Sequence, residues 1–349
     1  GETVQHIMGW TRLPDTALPS FSPTVAEEPV PDLTEVRGQE MAKRALEVAA
    51  AGGHNLLFLG PPGSGKTMLA RRLPGLLPPL TLAESIAVTK IHSLVAEQPP
   101  SGLIHQRPFR SPHPGTSTAG MIGGTSLPRP GEASLAHNGV LFLDELPEFR
   151  RDTLEALRQP LEEGKVHVVR ARSLSLPAPP RLALLAAMNP CPCGHLGDPR
   201  HDCRCPAPAI ERYRARISGP LLDRIDLHVE VPAVSLHELR SNAGESTATV
   251  AARIGLARAR QLERFGPQVA TPINAAMTSS LLRQHCPLDA PGRRLLDAAF
   301  EKLGLSARAL DRLLKVARTL ADLEGADQIR SHHLAEAIHY RALDRRLVG

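Results

Sequence analysis

The sequence predicts an α/β fold: a parallel sheet flanked by helices, followed by a separate all-α lid subdomain. Three stretches carry the prediction. His54-Asn55-Leu56-Leu57-Phe58-Leu59 is a short apolar run suited to a buried parallel strand, and Gly60-Pro61-Pro62-Gly63-Ser64-Gly65-Lys66-Thr67 follows it directly. Val140-Leu141-Phe142-Leu143-Asp144-Glu145 is a second such run, ending in two acids at the tip of the strand it describes. From about Glu245 the pattern turns helical. Leu310, Leu313, Leu314, Ala317, Leu320 and Ala321 fall on one helix face, with Arg308, Arg312, Lys315 and Arg318 on the others. The divisions that follow are an arm or linker over 1–30, an α/β core over 31–235 with a cysteine-rich insert at 190–206, and a helical lid over 236–349.

The bulk properties are compatible with this. At 349 residues, 42% of them hydrophobic, the chain has enough apolar side chains for a sizeable core. The net charge of +5 permits a polyanionic partner without demanding one. No apolar run approaches membrane-spanning length, and the N-terminus lacks the basic-then-apolar pattern of a signal peptide. Five cysteines in a chain of this size argue against a secreted disulfide scaffold. The expectation is a soluble, cytoplasmic protein with no membrane contact.

Taken in order, residues 1 to about 36 read as a tail, punctuated by Pro14, Pro19, Pro23, Pro29 and Pro31. The chain opens without Met, so this is either an extended arm or the remnant of an upstream domain. Gln39 to Ala51 is helical, and Gly52-Gly53 stops it. A second helix is expected over roughly Leu82 to His92. Pro99 to Asn138 is rich in Pro, Gly, Ser and His; so long a stretch inside a compact domain implies partial structure and a working role. Asp152 to Glu163 is a helix broken near Pro160. Gly164 to Pro180 suggests a β-hairpin, with Val166, Val168 and Val169 near Arg170 and Arg172. Arg181 to Met188 is a further strand with Asn189 at its tip, and Leu227 to Val231 another.

These elements place chemistry at strand ends. In the G-x-x-x-x-G-K-T pattern, glycines let backbone N–H groups close on phosphates, and the helix that follows adds a favourable dipole. Gly60, Pro61, Pro62, Gly63, Ser64 and Gly65 form the cradle. Lys66 is expected to reach the β- and γ-phosphates of ATP, and Thr67 to hold Mg²⁺. Asp144 is expected to bind Mg²⁺ through water, Glu145 to polarise the attacking water, and Asn189 to contact the γ-phosphate or that water. A Gly-rich turn and a strand ending in acidic turn residues are the bland alternatives. The occurrence of both patterns in one chain weighs against them.

Cys191-Pro-Cys193, nine residues, then Cys203-Arg-Cys205 form a four-thiolate set suited to tetrahedral Zn²⁺, with turn-forming Gly194, Gly197, Asp198 and Pro199 between. Disulfides are the rival reading, and His195 or His201 is an alternative ligand. Cys286 stands apart as a plain thiol. Arg224, flanked by acids before the strand at Leu227, is either a donor to transition-state phosphate charge on a neighbouring subunit or half of a structural Arg–Asp pair. Arg308, early in its helix, is either a nucleotide sensor or part of a solvated basic face.

The order of P-loop, Asp-Glu strand, Asn189, Arg224, Arg308 and helical lid resembles the AAA+ ATPases. More narrowly the chain resembles the magnesium-chelatase-like family that includes competence proteins. Phe109-Arg-Ser-Pro-His113, Asn189-Pro-Cys-Pro-Cys-Gly194, Arg214-Ala-Arg-Ile-Ser-Gly219 and Leu221-Leu-Asp-Arg-Ile-Asp226 carry that likeness, which covers about residues 30 to 345. It implies a ring-forming, ATP-driven DNA motor, a hexamer with nucleotide between subunits, that promotes branch migration during homologous recombination in natural transformation. It also implies two pore elements: an insert at Thr118 to Ser134 with Arg129 exposed, and the hairpin bearing Arg170 and Arg172. Members of the family carry an upstream domain like that of Lon protease, absent from this sequence. Two rival functions are a chelatase-type motor and a protein-remodelling ATPase. The latter predicts an aromatic pore residue, and neither expected pore loop contains one.

Overall fold

A computed structural model describes residues 29–96, 102–124, 129–163, 182–198, 200–240, 244–266, 269 and 272–343. The expected hairpin with Arg170 and Arg172, and most of the N-terminal arm, lie outside them.

Among the described residues, a five-stranded, all-parallel sheet in the order β2-β3-β4-β1-β5 forms the core. Its strands are β1 (Leu56–Leu59), β2 (Phe109–Arg110), β3 (Val140–Leu143), β4 (Ala183–Met188) and β5 (Leu227–Glu230). Every residue of β1 and β3 is buried. Parallel strands are covered on both faces, so their sequences run apolar without alternation. Side chains still alternate between faces. Leu56, Phe58, Val140, Phe142 and Leu185 join one apolar cluster, whereas Leu57, Leu59, Leu141, Leu143, Leu184 and Ala186 join the other.

The first cluster is closed by α1 (Glu40–Gly52) and the C-terminal helices. Gly53, with φ +73°, ends α1, and its N–H donates to Ala49 O. The P-loop helix α2 (Lys66–Ala70) is short, and α3 (Leu82–Ser93) starts from a capping box between Thr81 and Glu84. The second cluster takes in Met121, Leu154 and Tyr213, the last from α4 (Ala207–Arg214). The C-terminal region contains α5 (Thr247–Phe265), α6 (Ala290–Leu303), α7 (Ala307–Glu324) and α8 (Ser331–His339). On α5 the buried Val250, Ile254, Ala257, Gln261 and Phe265 follow helical spacing.

Three local expectations are amended. The break in the helix after Asp152 falls at Leu157, between Arg151–Ala156 and Arg158–Glu163, rather than at Pro160. Pro160 sits in the first turn of the second segment, where its missing N–H has no intrahelical partner to lose. The stretch Pro99 to Asn138 contributes an edge strand that its composition concealed: Phe109 pairs with Val140, and its ring stacks on Phe142 at 5.9 Å. On α7 the basic residues are not one solvated face. Arg318 is buried against Asp322, Arg312 reaches Asp226, and Lys315 donates to Ala275 O.

Candidate nucleotide site and cysteine centre

The five described strands point the same way, so β1, β3 and β4 deliver Gly60, Asp144 and Asn189 to one edge of the sheet. Ligands of open parallel sheets bind outside the C-terminal ends of the strands. Gly60 is required by space: a Cβ there would lie 2.1 Å from Val231 O. Gly63 and Gly65 hold φ of +72° and +93°, the left-handed conformations that turn successive N–H groups to one side. Lys66 Nζ donates to Gly60 O (2.7 Å), Pro61 O (2.8 Å) and Asn189 Oδ1 (3.2 Å). Burial draws the ammonium down to about 8, against the opposing pull of Asp144 and Glu145. Thr67 Oγ1 donates to Asp144 Oδ2 at 2.6 Å, so the two expected Mg²⁺ groups already touch.

Glu145 is exposed and holds φ 52°, ψ 47°. A non-glycine residue in the left-handed region is strained, and such strain collects at functional sites. Asp144 steadies the turn by accepting the Glu145 N–H at 3.0 Å. A glycine-rich loop, an ammonium, and a hydroxyl paired with a carboxylate fit ATP and Mg²⁺: Lys66 for the phosphates, Thr67 and Asp144 for the ion.

Arg224 lies elsewhere. It precedes β5, at the opposite edge of the sheet from the P-loop, where Asn55 Nδ2 donates to its carbonyl at 2.9 Å. Its side chain is 4% exposed, and Nη1 donates to Pro220 O at 2.6 Å. An arginine poised on the surface is therefore not what the single chain presents. Arg308 is exposed in the first turn of α7. One turn on, Arg312 Nη1 donates to Asp226 Oδ1 (2.7 Å) and Arg224 O (3.0 Å), which puts Arg308 on Arg224's side of the sheet. A sensor role for Arg308 at this chain's own phosphates does not follow from that position. Arg129 is exposed, next to short helices at Thr118–Ile122 and Glu132–Leu135.

The cysteine loop bridges β4 and α4. Sγ of Cys191 lies 3.4 Å from that of Cys193 and 3.6 Å from that of Cys203; Cys193 and Cys203 are 3.7 Å apart, and Cys205 completes the group. Four sulfurs about 2.3 Å from a tetrahedral Zn²⁺ would lie about 3.8 Å apart, so the quartet fits the ion. No pair is joined as a disulfide. N–H groups of the loop serve the sulfurs: Leu196 N donates to Cys191 Sγ, and the His195 N–H leads the influences that bring the Cys193 thiol down to about 6, while burial pushes the Cys191 thiol up. His195 and His201 are not in the quartet. Both face Asp198, at 3.6 and 3.2 Å.

Sequence reasoning missed what surrounds Asn189. Buried Tyr213 lies beside the Asn189 backbone, and burial pushes its phenol up to about 12. Arg214 Nη2 donates to Pro190 O at 3.2 Å. It also missed the group at the far edge made of buried His54, Asp226 and Thr319 with half-buried Arg312.

The fold and site together define a P-loop nucleotide-binding protein of the AAA+ class. Two family models match the chain: magnesium chelatase subunit ChlI over residues 32–239 and the ChlI C-terminal region over 244–341. The chain belongs to the magnesium chelatase family. It is 50% identical over 319 residues to the uncharacterized protein YifB of Escherichia coli, covering 91% of this chain and 62% of that one. It is 50% identical over 318 residues to competence protein ComM of Haemophilus influenzae, covering 90% and 61%. A shorter stretch of 162 residues is 28% identical to Lon protease 2 of Bacillus subtilis, covering 42% and 28%. The chain thus spans about three fifths of YifB and ComM. No described helix is long and apolar enough to cross a membrane.

Proposed function

We propose that this chain is the motor of a ring-forming, cytoplasmic ATPase, a homohexamer that drives DNA branch migration in homologous recombination during natural transformation. The observation that carries the ring is the separation across the sheet. Lys66, Thr67, Asp144, Glu145 and Asn189 stand at one edge, and Arg224 with the start of α7 at the other. One chain cannot bring its own Arg224 to its own phosphates, whereas a cyclic assembly brings one subunit's far edge to the next subunit's P-loop.

ATP supplies the phosphoryl group and Mg²⁺ neutralises its charge. Lys66 exchanges the carbonyls of Gly60 and Pro61 for phosphate oxygens, Thr67 and Asp144 hold the ion, and Asn189 orients the water from which Glu145 takes a proton. Arg224 of the adjoining subunit stabilises the developing charge once its bond to Pro220 opens, and Arg308 acts beside it. Cys191, Cys193, Cys203 and Cys205 would hold a Zn²⁺ in a structural role, ordering the loop between β4 and α4.

The DNA reading is supported by the likeness to ComM, by the basic balance of the chain and by exposed Arg129. Arg170 and Arg172 are assigned to the same grip. A chelatase-type or protein-remodelling motor is the second reading, favoured by the two ChlI matches and the stretch shared with Lon protease 2. ATP turnover measured with single-stranded DNA, branched DNA and unfolded protein separates them. Stimulation by DNA is expected, and binding should lose affinity with salt at a log–log slope of about −0.7 per phosphate contact on single strands. Replacing Arg170 and Arg172 by Ala should flatten that slope while basal turnover persists. Stimulation by protein and not by DNA would overturn the DNA reading.

A further inference from the structure

The cysteine loop touches the nucleotide site at two places. Asn189, whose Oδ1 accepts from Lys66 Nζ, is two residues from Cys191, so whatever fixes the Cys191 sulfur restrains Asn189. The second contact is Gly194. It is buried, holds φ +84°, and sits so close to the P-loop that a Cβ there would lie 2.5 Å from Pro62 Cδ and 2.7 Å from Pro62 Cγ. Its N–H donates to Cys191 O at 3.0 Å, so the turn that carries Gly194 is the turn that aims Cys191 and Cys193. Beyond Cys205 the chain enters α4, whose Arg214 donates to the Pro190 carbonyl and whose buried Tyr213 lies beside the Asn189 backbone. The quartet therefore closes a loop whose two ends meet at Asn189 and whose middle rests on Pro62.

We infer that Gly194 is a positioning residue of the nucleotide site, through which metal in the cysteine quartet and ATP in the P-loop stabilise one another. This rests on reading the quartet as a zinc site. The loop is ordered by the metal, and once ordered it supports Pro62 from outside and Asn189 from beside Lys66. A P-loop that closes on phosphates presents Pro62 in the position that Gly194 fits. Such coupling is reciprocal: if zinc raises ATP affinity by some factor, ATP raises zinc affinity by the same factor.

The loop supplies its own control. Gly197 also holds a left-handed φ, +82°, but a Cβ there would meet nothing within 4 Å. Gly197→Ala thus imposes a similar backbone strain on the loop without the clash against Pro62. The experiment uses the zinc-loaded chain and measures three quantities: zinc content, affinity for a fluorescent ATP analogue, and the rate at which a chromogenic chelator removes zinc with and without ATP. In the parent protein ATP should slow zinc removal, and stripping zinc should weaken nucleotide binding, each by about tenfold. Gly194→Ala should weaken nucleotide binding to a similar extent and lose the effect of ATP on zinc release, while Gly197→Ala keeps both. Cobalt substituted for zinc should give the same thiolate charge-transfer bands in both variants, showing an intact quartet. If Gly194→Ala fails to fold or to hold metal, Pro62→Ala removes the other side of the contact and should abolish the mutual effect. Zinc bound stoichiometrically, with ATP affinity equal in the loaded and stripped protein, overturns the coupling alone. Absence of zinc from protein purified without chelator overturns the metal reading and the coupling with it.

Discussion

Asp226 is the residue whose replacement should cost the fold most visibly at the sheet edge where Arg224 lies. Its carboxylate is almost wholly buried. It accepts the Asn55 N–H at 3.0 Å and Arg312 Nη1 at 2.7 Å, with His54 Nδ1 3.5 Å away. Asp226→Ala leaves a backbone N–H and a guanidinium without their acceptor. Removing one partner of a buried pair costs about 3–5 kcal/mol. Arg312 keeps Arg224 O at 3.0 Å, and its side chain is 23% exposed, so the lower end applies, about 3 kcal/mol. Urea unfolding at pH 7 should show this as a lower midpoint with an unchanged slope. Burial alone would raise the Asp226 pKa, but the His54 ring 3.5 Å away and the Arg312 charge outweigh it and hold the carboxyl well below the usual range. A depressed folded-state pKa contributes stability that is complete above the unfolded value of about 3.9 and is lost as pH falls towards the folded one. The deficit of Asp226→Asn against the parent should therefore be constant from pH 8 to 5 and shrink below about pH 4. A deficit that grew on acidification, or an Asp226→Ala midpoint equal to the parent's, would refute the assignment.

Three further outcomes follow from the nucleotide site. Lys66→Ala should abolish tight nucleotide binding, measured by equilibrium titration. Glu145→Gln should bind ATP and fail to hydrolyse it, because Thr67 and Asp144 remain paired; turnover at the parent rate would remove Glu145 from its role. Arg224→Ala should bind ATP yet turn over about 10³-fold more slowly, and mixing it with Lys66→Ala should restore some activity at interfaces that join an intact P-loop to an intact arginine. No rescue, with subunit exchange verified, counts against action across the interface.

Much of the core was legible because its signals are local. A buried parallel strand announces itself as an unbroken apolar run, and a phosphate loop as glycine spacing, so Leu56–Leu59, Val140–Leu143 and the placement of the residues at their tips could be read directly. The clustering of the four cysteines was legible for the same reason: they lie within fifteen residues of one another. The edge strand at Phe109–Arg110 was not, since two residues carry no periodicity and its partner Val140 is thirty residues away. Gly194 was readable only as a turn former; its role against Pro62 depends on a contact across more than a hundred residues.

The basic residues of α7 show where a one-dimensional pattern stops deciding. Arg308, Arg312, Lys315 and Arg318 recur at intervals of three or four, which in sequence is equally a solvated face or a set of internal ties. What separates them is the acceptor each meets. Arg312 finds Asp226, and Lys315 finds the carbonyl of Ala275. Arg318, buried, finds Asp322 and the carbonyls of Ala326 and Asp327 just beyond the helix. Three of the four cations thus anchor α7, one of them to the segment that carries Arg224. Arg308 alone of the four is exposed, and it stands one turn from the tie at Asp226. A displacement of α7 would move Arg308 and the Arg224 carbonyl together, because Arg312 joins them. The helix is therefore built to hold Arg308 and the Arg224 segment as a unit, at the sheet edge away from this chain's own P-loop.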